Sequence, residues 1–276
     1  MKTGKKSVEK VYLILKPIYV TRTKRQSDEQ IMWGTVPTEA VKTVAAIFRK
    51  DNLGIERPVC SGTVISNTWL VTAAHCFTDA DLADIKVVAG TMDLRHWSNK
   101  TVTTGVKSVK RHPKYKRIKD PNLPQLLDVD LALVQLDKSL EVDSNENIEK
   151  AALPSPAMKL TGKNIQVGGW GLTLTSSGLS LQSPEYLSIE VSIKKTQDCS
   201  GIHKVTNFFP DRMFCARTKG ETTCKGDSGG GAIYHAYGVP VIVGVVSFGI
   251  RGCTTASVYT KIEKFLPWIF TITKLR

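Results

Sequence analysis

The sequence predicts an all-β chain of short antiparallel strands, in the sandwich-or-barrel class, with one helix close to its C-terminal end. Three features carry that expectation. The apolar runs are short and rich in Val, Ile and Thr. Gly, Pro, Asn and Asp interrupt them at close intervals. A helical period stands out in one place only. Residues 44–48, 62–71, 129–136 and 241–248 read as strands, because β-branched side chains suit a pleated surface and the flanking residues favour turns. Ile262, Phe265, Leu266 and Ile269 recur at helical spacing, so residues 262–273 read as the helix. The apolar share, 41%, is ordinary for a packed globular protein, and 276 residues allow one large domain or two small ones. No internal repeat or low-complexity tract is present.

The formal charge is +13, and its distribution decides what it means. Residues 1–30 carry eight Lys/Arg against three Asp/Glu, a net of +5, which leaves +8 spread over the rest. The densest run, from Lys107 to Lys119 (KSVKRHPKYKRIK), has seven basic residues and no acid. It reads first as a solvated loop, and second as an exosite for a polyanion. No nucleic-acid-binding motif accompanies it, so nucleic acid is not an expected partner.

Six cysteines, at 60, 76, 199, 215, 224 and 253, include no C-x-x-C and no zinc-site spacing, so no metal is expected. An even, widely spaced set suits three disulfides and an oxidising compartment. The N-terminal apolar stretch from Val11 to Leu15 is five residues long and ends at Lys16 and Pro17. That is too short for a signal-peptide core or a membrane span. The disulfide argument outweighs it, and a secreted protein is expected.

Three stretches carry chemistry. TTCKGDSGGGAIY, from Thr222, sets one serine, Ser228, among glycines; TAAHC holds His75; and DLALVQL opens an apolar run with Asp130. A hydroxyl is a weak nucleophile near neutral pH and needs a base within hydrogen-bond reach. Imidazole suits that task, and a buried carboxylate fixes its tautomer and stabilises the cation it becomes. The backbone amides of Gly226 and Ser228 are candidates to hold the oxyanion of an acyl-transfer intermediate. His96, His112, His203 and His235 lack such context and read as surface or packing residues. Calcium is not expected over residues 88–107, where Asp93 is the single carboxylate.

In the order His75, Asp130, Ser228, these motifs resemble the chymotrypsin-like (trypsin-fold) serine proteases, over roughly residues 31–276. VGGWG from Val167, SFG from Ser247, SVYTKI from Ser257 and LPWI from Leu266 add to the resemblance. It implies two antiparallel β-barrels, about 31–145 and 146–276, with the active site between them and residues 1–30 as leader or pro-segment. It implies the triad His75, Asp130 and Ser228, the oxyanion donors Gly226 and Ser228, and disulfides Cys60–Cys76, Cys199–Cys215 and Cys224–Cys253. The primary pocket would have Thr222 as its floor and Gly249 and Ser257 as its walls, with Ser247 in the substrate-pairing strand. A neutral floor predicts cleavage after apolar residues, in the manner of chymotrypsin or elastase. Expected partners are protein or peptide substrates and serpin-type inhibitors, for a monomer needing no cofactor. Asn99, in the sequon Asn99-Lys100-Thr101, is the expected glycan acceptor.

Three departures from the family pattern stand out. The new N-terminus that would pair with Asp227 is Ile31 in IMWG, preceded by Gln30 instead of a basic residue. A non-catalytic homologue acting in binding or regulation is the alternative that this raises. Gly231 stands where a proline commonly follows GDSGG. The spacing of 55 between His75 and Asp130 is long, with the excess expected in a Pro-rich loop over 116–129.

Overall fold

A computed structural model describes residues 34–39, 41–78, 80–118, 126–174, 180–199, 208–217, 223, 225–249 and 256–275. The chain divides into Met1–Gln30, outside the described residues, and Ile31–Arg276. The first nine strands are β1 (Val44–Lys50), β2 (Glu56–Val64), β3 (Trp69–Thr72), β4 (Ile85–Ala89), β5 (Val102–Thr104), β6 (Val106–Arg111), β7 (Lys116–Ile118), β8 (Leu126–Asp128) and β9 (Ala132–Leu136). Seven of them form one antiparallel sheet in the order β5-β4-β1-β2-β3-β9-β6. Gly105 alone joins β5 to β6, which lie at opposite edges of that order. A one-residue link forces the two edges together, so the sheet is rolled into a barrel that lacks only the β5–β6 ladder. β7 and β8 form a separate hairpin.

The second half holds β10 (Asn164–Gly169), β11 (Leu172–Leu174), β12 (Ser180–Gln182), β13 (Leu187–Ile193), β14 (Met213–Arg217), β15 (Gly231–Ala236), β16 (Val239–Gly249) and β17 (Ser257–Lys261). Six of these close a barrel, β10-β13-β14-β17-β16-β15, and Gln166 opposite Ile233 shuts the ring. The predicted all-β class, with one half-closed and one closed barrel, is what the chain adopts. Among the described residues no helix is long and apolar enough to cross a membrane.

β16 explains an unalternating run in the sequence. Val243 and Val246 face the core of the closed barrel with Ile165, Val191, Phe214 and Tyr259. Ile242 and Val245 face the other core, with Leu70, Leu131, Leu133 and Ile269. A strand buried on both faces has no solvent side to keep polar. This shared strand joins the two halves.

Three sequence expectations need correction. Residues 62–71 form a hairpin, β2 into β3, and not one strand. The strand expected from Val129 begins at Ala132, because Val129 adopts φ +49°. The helix expected from Ile262 starts as a 3-10 turn, Ile262–Phe265, and becomes α-helical only over Leu266–Thr273, here α1. Pro267 sets that boundary. Its missing N–H is harmless in a first turn and disruptive in a helix interior. The basic run is also no simple loop: it builds β6, a turn, and β7, with Lys119 outside the described residues.

His112, in that run, is buried and stands edge-on to Phe265 at 5.0 Å and Trp268 at 4.8 Å. It thereby docks the terminal helix. Burial, and then the Lys114 charge, push its pKa below the ordinary 6.5. The unfolded chain therefore takes up the proton first, so stability is full above about 6.5 and falls as pH drops through the folded value. His112→Phe keeps the ring packing and removes the proton. The variant is expected to show a flatter loss of urea stability between pH 6.5 and 4.5 than the parent, read from unfolding midpoints at constant m.

Candidate active site

β3 and β9 lie side by side with Thr72 opposite Ala132. The strands are antiparallel, so the residues just after Thr72 and just before Ala132 emerge at the same end of the sheet. His75 and Asp130 meet there across 55 residues of sequence. His75 sits in a 3-10 turn, Ala74–Phe77, which the Cys60–Cys76 disulfide ties to β2.

Asp130 is fully buried, with 0% exposure. Its Oδ2 lies 2.6 Å from His75 Nδ1 and accepts a 2.6 Å bond from the Ser247 hydroxyl, while its Oδ1 accepts the His75 amide at 2.9 Å. The Thr260 hydroxyl donates to its main-chain carbonyl at 3.1 Å. A buried carboxylate needs such donors, since an unpaired one costs several kcal/mol. With Oδ2 against Nδ1, the proton sits on that nitrogen and leaves Nε2 free to accept.

Ser228 is half-buried in the turn that leads into β15. Its carbonyl accepts the Ser61 amide at 2.9 Å and lies 3.9 Å from Cys76 Sγ, one residue from His75. Gly226, at φ +98°, is where a side chain cannot go: a Cβ there would come within 2.7 Å of the Gly171 Cα. Gly229, at φ +80°, would likewise drive a Cβ into the Thr72 hydroxyl. Gly229 thus lets the serine turn pack against β2 and β3, and Gly226 lets it pack against the chain at Gly171. Asp227 Oδ1 accepts the Gly171 amide at 3.0 Å. Its charge, after burial, helps push the Tyr186 pKa far up. Gly231, in place of the common proline, opens β15 opposite Val245.

Of the expected pocket residues, Gly249 and Ser257 pair across β16 and β17. Ser257 is fully buried, and its hydroxyl lies 2.6 Å from that of Thr223, also buried. Gly249 faces the Thr223 carbonyl, 3.6 Å from where its Cβ would be. Thr223 was not anticipated, although its place beside the floor position marked it. Thr222, Ile31, Cys224 and Cys253 lie outside the described residues. The disulfides Cys60–Cys76 and Cys199–Cys215 form as the resemblance implies.

Ser247 has a role beyond the strand expected of it, because its hydroxyl is committed to Asp130. Cys60, His75 and Cys76 bring ligand-type atoms within 4.8 Å of one another, yet the sulfurs are joined to each other and offer no thiolate to a metal. Asn99 is exposed in a turn braced by the Ser98 amide on the Thr101 hydroxyl at 3.1 Å. A groove of about 960 Å³ is lined by residues such as Thr38, Glu39, Glu190 and His235 and holds none of the constellation.

Two joined β-barrels with a half-buried His75 on a buried Asp130, beside a glycine-bound serine, define a chymotrypsin-like serine protease domain. The chain belongs to the trypsin family, whose profile matches residues 33–269. Transmembrane protease serine 9 of Rattus norvegicus is 33% identical over 77% of this chain, covering 19% of that protein. Trypsin of Phaedon cochleariae is 32% identical over 76% of this chain and 77% of its own length, and chymotrypsin of the same beetle is 28% identical over 83% and 78%. The matches span only 19%, 26% and 36% of transmembrane protease serine 9, serine proteinase stubble of Drosophila melanogaster and complement C1s-1 subcomponent of Mus musculus.

Proposed function

We propose that the protein is a serine endopeptidase. His75 Nε2 takes the Ser228 proton as Oγ attacks the scissile carbonyl, and the Gly226 and Ser228 amides hold the oxyanion. The imidazolium then protonates the leaving amine, and water, deprotonated by His75, releases the acyl group. The observation that carries this reading is the buried Asp130 carboxylate set 2.6 Å from His75 Nδ1. The relatives named trypsin and chymotrypsin favour this reading over the non-catalytic alternative. Residues 1–30 are read as a leader or pro-segment. Gly34, three residues beyond Ile31, lines a cavity of about 20 Å³ with Asp227. An α-amine freed at Ile31 would be within about 10 Å of chain from it.

A fluorophosphonate probe is expected to label Ser228 once the chain is cut before Ile31, and Ser228→Ala to lose labelling with kcat down on the order of 10⁶-fold. Absence of labelling in cut protein overturns the enzyme reading.

The Thr223–Ser257 hydroxyl pair is read as closing off the depth of the primary pocket, and among its described residues no carboxylate awaits a cation. Leu, Met and Phe are therefore the proposed residues before the cleaved bond. A peptide library is expected to favour them over Arg and Lys by at least about tenfold. Ser257→Gly removes one hydroxyl of the pair and should shift preference towards the larger aromatics. Dominant cleavage after Arg or Lys would falsify this pocket.

The basic run is proposed as a site for a sulfated polysaccharide. Lys107, Lys110, Arg111, Lys114 and Lys116 are all exposed, and none has an acidic partner among the described ion pairs. They lie along β6, a sheet edge, the turn after it and the start of β7. The disulfides suit an oxidising, extracellular setting, where such polyanions occur. Tyr115, the run's one ring besides buried His112, is half-buried, which leaves no stacking platform for bases. The combined change Lys110→Gln, Arg111→Gln, Lys114→Gln is expected to lower the salt needed for elution from immobilised heparin. The equally discharged control Lys42→Gln, Lys159→Gln, Lys163→Gln should elute with the parent. Equal loss in both overturns the site.

A further inference from the structure

Val129 is one of four non-glycine residues with positive φ among those described, and the only β-branched one. It is also buried, at 4% exposure. Nothing in its own side chain favours the left-handed region, as an Asn or Asp side chain would. It stands directly before Asp130, and its carbonyl accepts the Leu131 amide at 2.8 Å. Something outside the segment must hold this turn.

The residue on its other side supplies the hold. Asp128 accepts two bonds from Arg212, Nε to Oδ1 at 2.7 Å and Nη2 to Oδ2 at 3.0 Å. Arg212 reaches across from the second barrel, 84 residues away. It is itself fixed. Its guanidinium lies 3.9 Å over the Phe209 ring, its Nη1 donates to Asp211 at 3.0 Å, and its carbonyl accepts the Lys261 amide at 2.9 Å. Lys261 is the neighbour of Thr260, which holds the Asp130 carbonyl. One corner of the second barrel thus grips the segment on both sides of Val129.

We propose that Arg212 is a positioning residue: by clamping Asp128 it holds Val129 in its left-handed turn and so aims the Asp130 carboxylate at His75. The inference rests on the triad reading above. The charged groups around the pair are Arg49, whose Nη2 donates to the Cys76 carbonyl, Arg111 and Arg117 beside Tyr115, and the Asp128–Arg212–Asp211 cluster.

The test uses the full chain cut before Ile31, with kcat, KM, melting temperature and the pH profile of kcat/KM measured on one peptide amide. Arg212→Met is expected to lower kcat about tenfold with KM within about twofold. The acid limb of the profile should move to lower pH, because a displaced Asp130 stabilises the His75 cation less. Arg212→Lys, a point charge without the fork, should recover part of the loss. Adding Val129→Gly to Arg212→Met should recover most of it, since glycine enters the left-handed region unaided. A merely electrostatic role predicts the opposite limb shift, because an unbalanced Asp128 would favour the cation. That shift, an unchanged kcat, or a fall in melting temperature alone overturns the proposal. Ser228→Ala in the same assay separates this outcome from failure of the triad reading, which it alone addresses.

Discussion

The Asp130 carboxylate is the group on which the rest of the structure turns. A fully buried charge is tolerable only with its lone pairs engaged, and the donors come from both halves of the molecule. His75 belongs to the first sheet, while Ser247 and Thr260 belong to strands of the closed barrel. Neither half alone can satisfy this acid. Undocking the barrels would leave an uncompensated buried charge, at a cost of about 3–5 kcal/mol. The geometry that orients the imidazole is therefore the same geometry that joins the halves, and weakening one weakens the other.

Everything around that acid follows from strand register. The pairing of Thr72 with Ala132 brings two chain ends out of one sheet edge, and a shift by one residue would turn both away. The Cys60–Cys76 bond then restrains the turn that carries His75, closing a loop with a separation of 16 residues, worth about 3 kcal/mol on chain-entropy grounds. On the opposite side β16 contributes twice. Its two buried faces fill both cores, and its end presents Ser247 to Asp130 and Gly249 to the pocket. Chemistry and core packing share a single strand.

Much of this was legible in the sequence, because it is written in local terms. The β-branched runs, the turn residues between them and the three motifs each announce themselves within a dozen residues. What stayed hidden depends on partners far along the chain. Nothing near Val129 marks a left-handed turn; its hold comes from Arg212, 84 residues beyond Asp128. Ser247 reads as a strand residue until the first sheet brings Asp130 beneath its hydroxyl. The late start of α1 was readable in principle, since Pro267 belongs in a first turn, but the helical spacing from Ile262 masked it. The family resemblance named Cys60–Cys76 and Cys199–Cys215 where spacing left fifteen pairings open.

The Thr223–Ser257 pair shows how two hydroxyls can be buried together beside the proposed pocket. Thr223 and Ser257 are buried hydroxyls, and each would be costly alone. Facing one another at 2.6 Å, one hydroxyl donates to the other, which lowers the cost of burying both. An acidic floor works differently, for it remains an unpaired charge until a cationic side chain arrives. On the proposed reading, the pair offers no charge to offset the desolvation of an entering Lys or Arg, while an aliphatic side chain needs none. Discrimination among apolar residues then falls to size alone, and a difference of one methylene is worth only about 1–3 kcal/mol. On the proposed reading, the pocket would separate charged from uncharged side chains more sharply than one apolar side chain from another.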